Sequence, residues 1–159
     1  MSVLALNKRA AYDYEFLDKY SAGIVLSGQE TKAAKNGQAN LSGSFVVIRG
    51  HGTSRPEAYL INASIAHYRY AAKKDGYDPE RTRKLLLKRR EIAYLTGKQQ
   101  EKGLTLVPTR LYTDRSLIKL EFALARGKKR YDKRQSIKER ELKRYLDVES
   151  KSGSRKLRS

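Results

Sequence analysis

Apolar and polar side chains alternate most regularly near the end of the chain. Over Leu117–Ala125 the apolar Ile118, Leu120, Phe122 and Leu124 are separated by Lys119, Glu121 and Ala123, the period of a half-buried strand. An apolar run over Leu104–Tyr112 precedes it, and Thr113-Asp114-Arg115-Ser116 between them reads as a polar turn, so the pair predicts a hairpin. At Arg126-Gly127 the apolar pattern stops and Lys128, Lys129, Arg130, Tyr131, Asp132, Lys133 and Arg134 follow, which cannot be core.

The same reading over the rest of the chain predicts a mainly β fold. Residues 1–11 read as a loose N-terminal arm. Tyr12, Tyr14 and Phe16 alternate as in a strand, while Tyr12, Phe16 and Tyr20 also fit a helical stripe; the continuation Ala22-Gly23-Ile24-Val25-Leu26 favours a long strand bent at Gly23. Ser27-Gly28-Gln29-Glu30 is a capping box and Gly37 a natural stop, so a short helix is expected over 28–36. Strands are expected over 44–49 and 58–65, joined by the turn-rich residues 50–57. Asp78-Pro79-Glu80 carries the start signals of a helix, with Leu85, Leu86, Ile92, Ala93 and Leu95 on one arc. Five or six antiparallel strands with three helices and no alternating strand–helix rhythm predict an OB-like β-barrel over 12–130. Residues 131–159 form a basic tail, read as disordered when free and foldable on an anionic surface.

Composition narrows the function. The 159 residues include 35 Lys and Arg against 17 Asp and Glu, a formal net charge of +18. That excess implies a polyanionic partner, nucleic acid before an anionic membrane. Residues 126–159 alone hold 14 Lys and Arg against 5 acidic residues. With no cysteine and only His51 and His67, thiolate and histidine-built metal sites are not expected, nor any cofactor. No apolar run approaches the ~20 residues of a membrane span, and the chain reads as cytoplasmic. No nucleophile elbow, phosphate-cradling glycine loop or metal-ligand cluster is present, so an enzyme is not expected. A nuclease built on Glu30 or Asp132 is the weaker alternative. Three cation groups stand out: Lys32 and Lys35; Arg81, Arg83, Lys84, Lys88, Arg89 and Arg90; and the tail. Eleven tyrosines supply stacking planes. Tyr68–Tyr77, which mixes three of them with Arg69, Lys73 and Lys74, reads either as a base-stacking stretch or as a partly buried strand edge with solvated lysines.

Seven ordered blocks carry a family resemblance: ALNKRA (5–10), AGIVLSGQETK (22–32), NGQANL (36–41), DPERTRKLLLKRREI (78–92), QEKGLTLVPTRLY (100–112), KLEFALARGKK (119–129) and YDKRQSIKERE (131–141). Together they resemble small protein B, the tmRNA-binding family of bacterial ribosome rescue. The resemblance implies an OB-like barrel that grips the tRNA-like domain of tmRNA, delivered with elongation factor Tu to a stalled ribosome. It also implies a monomer whose tail enters the empty decoding site and mRNA channel. Leu86, Lys88 and Lys119 fall on positions implicated in tmRNA binding, and Glu30, Lys32, Arg83, Lys84 and Arg89 join them as candidates. Arg126, Lys128 and Lys129 match the basic hinge, and Tyr131, Asp132, Lys133 and Arg134 the decoding-site segment. Ser21 stands where many members carry a carboxylate, residues 50–57 form a longer loop, and the end lacks the bulky apolar pair of some members. A different ribosome-associated RNA-binding protein is the second reading.

Overall fold

A computed structural model describes residues 1–50, 55–71 and 76–158. Its elements, in chain order, are β1 (Ser2–Leu6), α1 (Lys8–Asp13), β2 (Tyr14–Ile24), α2 (Gly28–Lys35), β3 (Ala39–Asn40), β4 (Phe45–Arg49), β5 (Glu57–Ile61), β6 (Ser64–Ile65), β7 (Arg83–Leu86), α3 (Arg89–Gln99), β8 (Leu104–Asp114), β9 (Leu117–Gly127) and α4 (Arg130–Arg158). The chain divides into two units, Met1–Gly127 and Lys128–Ser159.

In the first unit six strands close a ring in the order β8-β4-β5-β7-β2-β9, with β9 returning to β8, every pairing antiparallel. This is the barrel the alternation predicts. The β8–β9 hairpin is its largest piece, and the two strands pair from Leu104↔Arg126 to Asp114↔Leu117. Its turn is tighter than the sequence suggested: only Arg115 and Ser116 lie outside the strands, at φ 50° and 67°. Two consecutive left-handed residues suit the right-handed twist of the flanking strands.

Ring closure buries Leu60, Leu85, Leu106, Leu111, Leu120, Phe122 and Leu124 in one core, with Tyr20 stacked on Phe122 at 5.6 Å. The weakest seam is β4–β8, paired only at Val46↔Leu106. Gln99 at the end of α3 reaches it, accepting from the Ile48 amide at 2.8 Å and donating to the Ile48 carbonyl at 3.4 Å. A side-chain amide thus supplies the strand partner that β8 does not.

Residues 1–11 are not a loose arm. Strand β1 pairs with the outer edge of β8, from Ser2↔Thr113 to Leu6↔Arg110. Buried Asn7 fastens the junction: its amide donates to Thr109 O at 2.8 Å, its side-chain nitrogen to Pro108 O at 2.9 Å, and its side-chain oxygen accepts from Ala10 N. The strand expected over 58–65 is broken at Asn62, which takes φ 62° and separates β5 from the short β6. Residues 51–54 of the connecting loop lie outside the described residues, as do Lys73 and Lys74.

In the second unit Arg130–Arg158 is one helix, where the sequence reading has a tail without structure of its own. Of its described side chains Leu142, Tyr145, Leu146 and Val148 are more than half exposed and Ile137 is more than a third exposed, so among the described residues this unit buries no apolar face of the helix. Helical intervals such as Tyr145–Glu149, where the hydroxyl donates at 3.2 Å, support it locally.

Candidate nucleic-acid interface

The segment after Asp78 holds the main departure from the sequence reading. Asp78 does cap a turn, accepting from Glu80 N at 2.9 Å, but no long helix follows. Arg83–Leu86 is a strand whose side chains point alternately inward and outward: Arg83 and Leu85 are buried, Lys84 and Leu86 exposed. The helix begins only at Arg89, with Lys88 as its exposed N-cap.

Strand β7 is held to α2 by a buried ionic knot. Glu30 and Arg83 are both fully buried, and Glu30 accepts from Arg83 Nε at 2.6 Å and from Arg81 Nη2 at 2.5 Å. The other Arg83 nitrogens donate to Ala63 O and Pro79 O, each at 2.9 Å. Glu30 also closes the predicted capping box, receiving the Ser27 amide at 2.9 Å. Burial opposes its charge, but the hydrogen bonds from Arg81, Ser27 and Arg83 win and lower its pKa to about 2. Neither Glu30 nor Arg83 reaches the surface, which corrects their placing among RNA-touching residues; they fix β7 from behind.

On the outside, strand register brings together residues far apart in sequence. Gly23 of β2 lies opposite Leu86 of β7 on one side and Lys119 of β9 on the other, one row across three strands. Because Gly23 has no side chain, a hollow of about 260 Å³ opens there, lined also by Leu26, Thr31 and Leu117. A second hollow of about 450 Å³, lined by Arg55, Glu57, Lys84, Arg89, Ile92 and Ala93, adjoins the first at Leu86. Leu86, 57% exposed, is therefore an apolar ridge between two hollows with cations at their rims.

Those cations are lightly engaged. Lys84 donates to Glu57 at 3.0 Å and Lys119 pairs with Asp114 at 3.3 Å, both between half-exposed side chains. Such pairs are worth little and exchange readily for a phosphate. Tyr59 donates to Glu57, and this bond with that from Lys84 holds the Glu57 carboxyl below its usual range. Lys88, Arg89 and Lys32 are exposed. Ser21 shares a hydrogen bond with the Tyr112 hydroxyl. The sequence reading missed the Gly23 row, which only pairing register reveals, and the Glu57–Tyr59 pair, two positions apart on one face of β5.

Of the tail candidates, Arg126 lies exposed at the next-to-last position of β9. In the second unit Lys128 donates to Ser136 at 2.8 Å, Lys129 and Arg134 are exposed and Lys133 half-buried. Tyr131 and Asp132 lie on the first turn of α4; their side chains are outside those described. Among the described residues no three acidic, histidine or cysteine side chains gather as a metal site, and no helix is long and apolar enough to cross a membrane.

A closed antiparallel barrel with a cation-rimmed apolar face, continued by a basic helix, defines the class of protein. Residues 4–152 match the family described as SmpB protein, and the chain belongs to that family. Similar proteins include the SsrA-binding proteins of Sulfurihydrogenibium sp. (strain YO3AOP1), 50% identical over 91% of both chains, and Gloeobacter violaceus, 51% identical over 91% of both. That of Persephonella marina is 47% identical over 95% of both. A solved chain from work titled "tmRNA-SmpB: a journey to the center of the bacterial ribosome" superposes with a TM-score of 0.63 at 41% identity, covering 83% of this chain and 92% of that one.

Proposed function

We propose that this protein binds the tRNA-like domain of tmRNA and accompanies it into stalled ribosomes, where its basic tail occupies the empty decoding site and mRNA channel. The nascent chain is then tagged and the ribosome released. The observation that carries the reading is the Leu86–Gly23–Lys119 row with Lys84, Lys88 and Arg89 around it, in a chain of this family. An apolar ridge between hollows with loosely paired cations suits a folded RNA with accessible bases and close phosphates. Lys32 of α2 is a further exposed cation for the same RNA, and Arg126, Lys128, Lys129, Tyr131, Asp132, Lys133 and Arg134 serve the ribosome. The role is binding without a chemical step of its own, as a monomer in the cytoplasm, with elongation factor Tu in the delivered complex.

Fluorescence anisotropy with the isolated tRNA-like domain tests this against an ordinary tRNA and an RNA duplex. Binding to the tRNA-like domain is expected to be tighter than to either. Equal affinity for all three would remove the assignment and leave a general RNA binder.

A further inference from the structure

We propose that the turn Tyr68–Ala71, with Lys32 of α2, is a stacking platform for unpaired RNA bases, carried by elements other than the Leu86–Lys119 row. The inference rests on the reading that the chain binds RNA and adds a second, differently built contact to it. The turn is closed by the Ala71 amide donating to Tyr68 O at 3.0 Å, which puts Arg69 and Tyr70 at its tip. Tyr70 is 75% exposed, and its ring meets that of Tyr68 edge-on, centroids 5.6 Å apart at 67°. Lys32 Nζ lies 5.5 Å from the Tyr68 centroid and the Arg69 guanidinium 5.7 Å from that of Tyr70.

The base of the turn is anchored. The Tyr77 hydroxyl donates to Ile65 O at 2.6 Å, and His67 packs edge-on against the Tyr77 ring at 5.3 Å. Among the described residues neither Lys32 nor Arg69 has a carboxylate partner. A lone exposed tyrosine needs no explanation. Two rings set at an angle, each with a cation over it that has no carboxylate partner among the described residues, are a different object. The ring face takes a base of any sequence, and the cations take the flanking phosphates. A duplex, whose bases are already stacked, offers the ring nothing, and an acidic protein segment would use the cations alone.

The test uses the full chain and a short oligoadenylate, followed by fluorescence anisotropy over a range of salt. Tyr70→Ala should weaken binding about tenfold with the salt dependence unchanged. Tyr70→Phe, which keeps the ring, should stay within about twofold of the parent. Lys32→Ala and Arg69→Ala should each lower the slope of log K against log salt by about 0.7. Thermal unfolding should be unaltered in the Tyr70 variants, since the side chain is exposed. Three results overturn the platform: parental affinity in Tyr70→Ala, an equal loss in Tyr70→Phe, or an equal loss on a duplex or on polyglutamate. Binding of the tRNA-like domain with no binding of oligoadenylate overturns this inference alone. Binding of neither RNA overturns the proposed function with it.

Discussion

Glu30 holds its charge in the interior because its oxygens receive two guanidinium groups and a backbone amide. Removing the carboxylate leaves Arg83 buried without its counter-ion, so Glu30→Gln should cost about 3–5 kcal/mol in urea unfolding at neutral pH. The pH dependence follows from the lowered pKa. The stabilisation from Glu30 is complete above the ordinary carboxylate value of 4.5 and is lost as the pH falls through about 2. The gap between parent and Glu30→Gln should therefore narrow by about 3 kcal/mol between pH 6 and pH 2. A gap independent of pH would mean that Glu30 is not ionised in the fold. The capping box at Ser27-Glu30 was legible in the sequence because it is a local pattern. The second task of Glu30 was not, since Arg81 and Arg83 lie more than fifty residues away in the chain. Basic side chains in a +18 protein read as surface by default, and Arg83 is the exception that burial exposes.

Strand β7 shows why an element can be misread. Its inward positions are Arg83 and Leu85 and its outward ones Lys84 and Leu86, so the alternation is real but each face mixes charge with leucine. Leu85 and Leu86, followed by Ile92, Ala93 and Leu95 after an Asp-Pro start, then look like one arc of a helix. The two structures predict different mutants. Leu85→Ala empties a fully buried site and should cost about 2–5 kcal/mol. Leu86→Ala should stay within about 0.5 kcal/mol in stability while weakening binding of the tRNA-like domain. Comparable losses of stability in denaturant melts of both variants would contradict the strand. The β8–β9 hairpin was legible because period and turn agree, although neither Arg115 nor Ser116 favours its left-handed φ. Arg115→Asn with Ser116→Gly should raise stability by about 1 kcal/mol, read as a higher melting temperature. Strand β1 left no such signal. It is fixed by pairing with residues more than a hundred positions on, and local patterning cannot carry that information.

At the scale of the molecule, charge and topology separate two tasks. Ring closure is complete at Gly127, and among the described residues every buried hydrophobic side chain belongs to Met1–Gly127. The described side chains of the tail contribute none, so removing it is expected to leave the core of the first unit whole. A chain ending at Gly127 should unfold cooperatively with a melting temperature within a few degrees of the parent. It should also keep its affinity for the tRNA-like domain, because Leu86, Lys88, Arg89 and Lys119 all precede the cut. The salt dependence should follow the same division. If the tail does not touch the tRNA-like domain, its cations release no counter-ions there, and the slope of log K against log salt is unchanged by the deletion. Against whole stalled ribosomes the slope should fall steeply, by roughly 0.7–0.9 for each tail cation that meets a phosphate, and tagging should cease. A deletion that flattens both slopes alike would mean that one RNA is gripped by both units. In that case Arg126-Gly127 would be a point along a single interface rather than the joint between two.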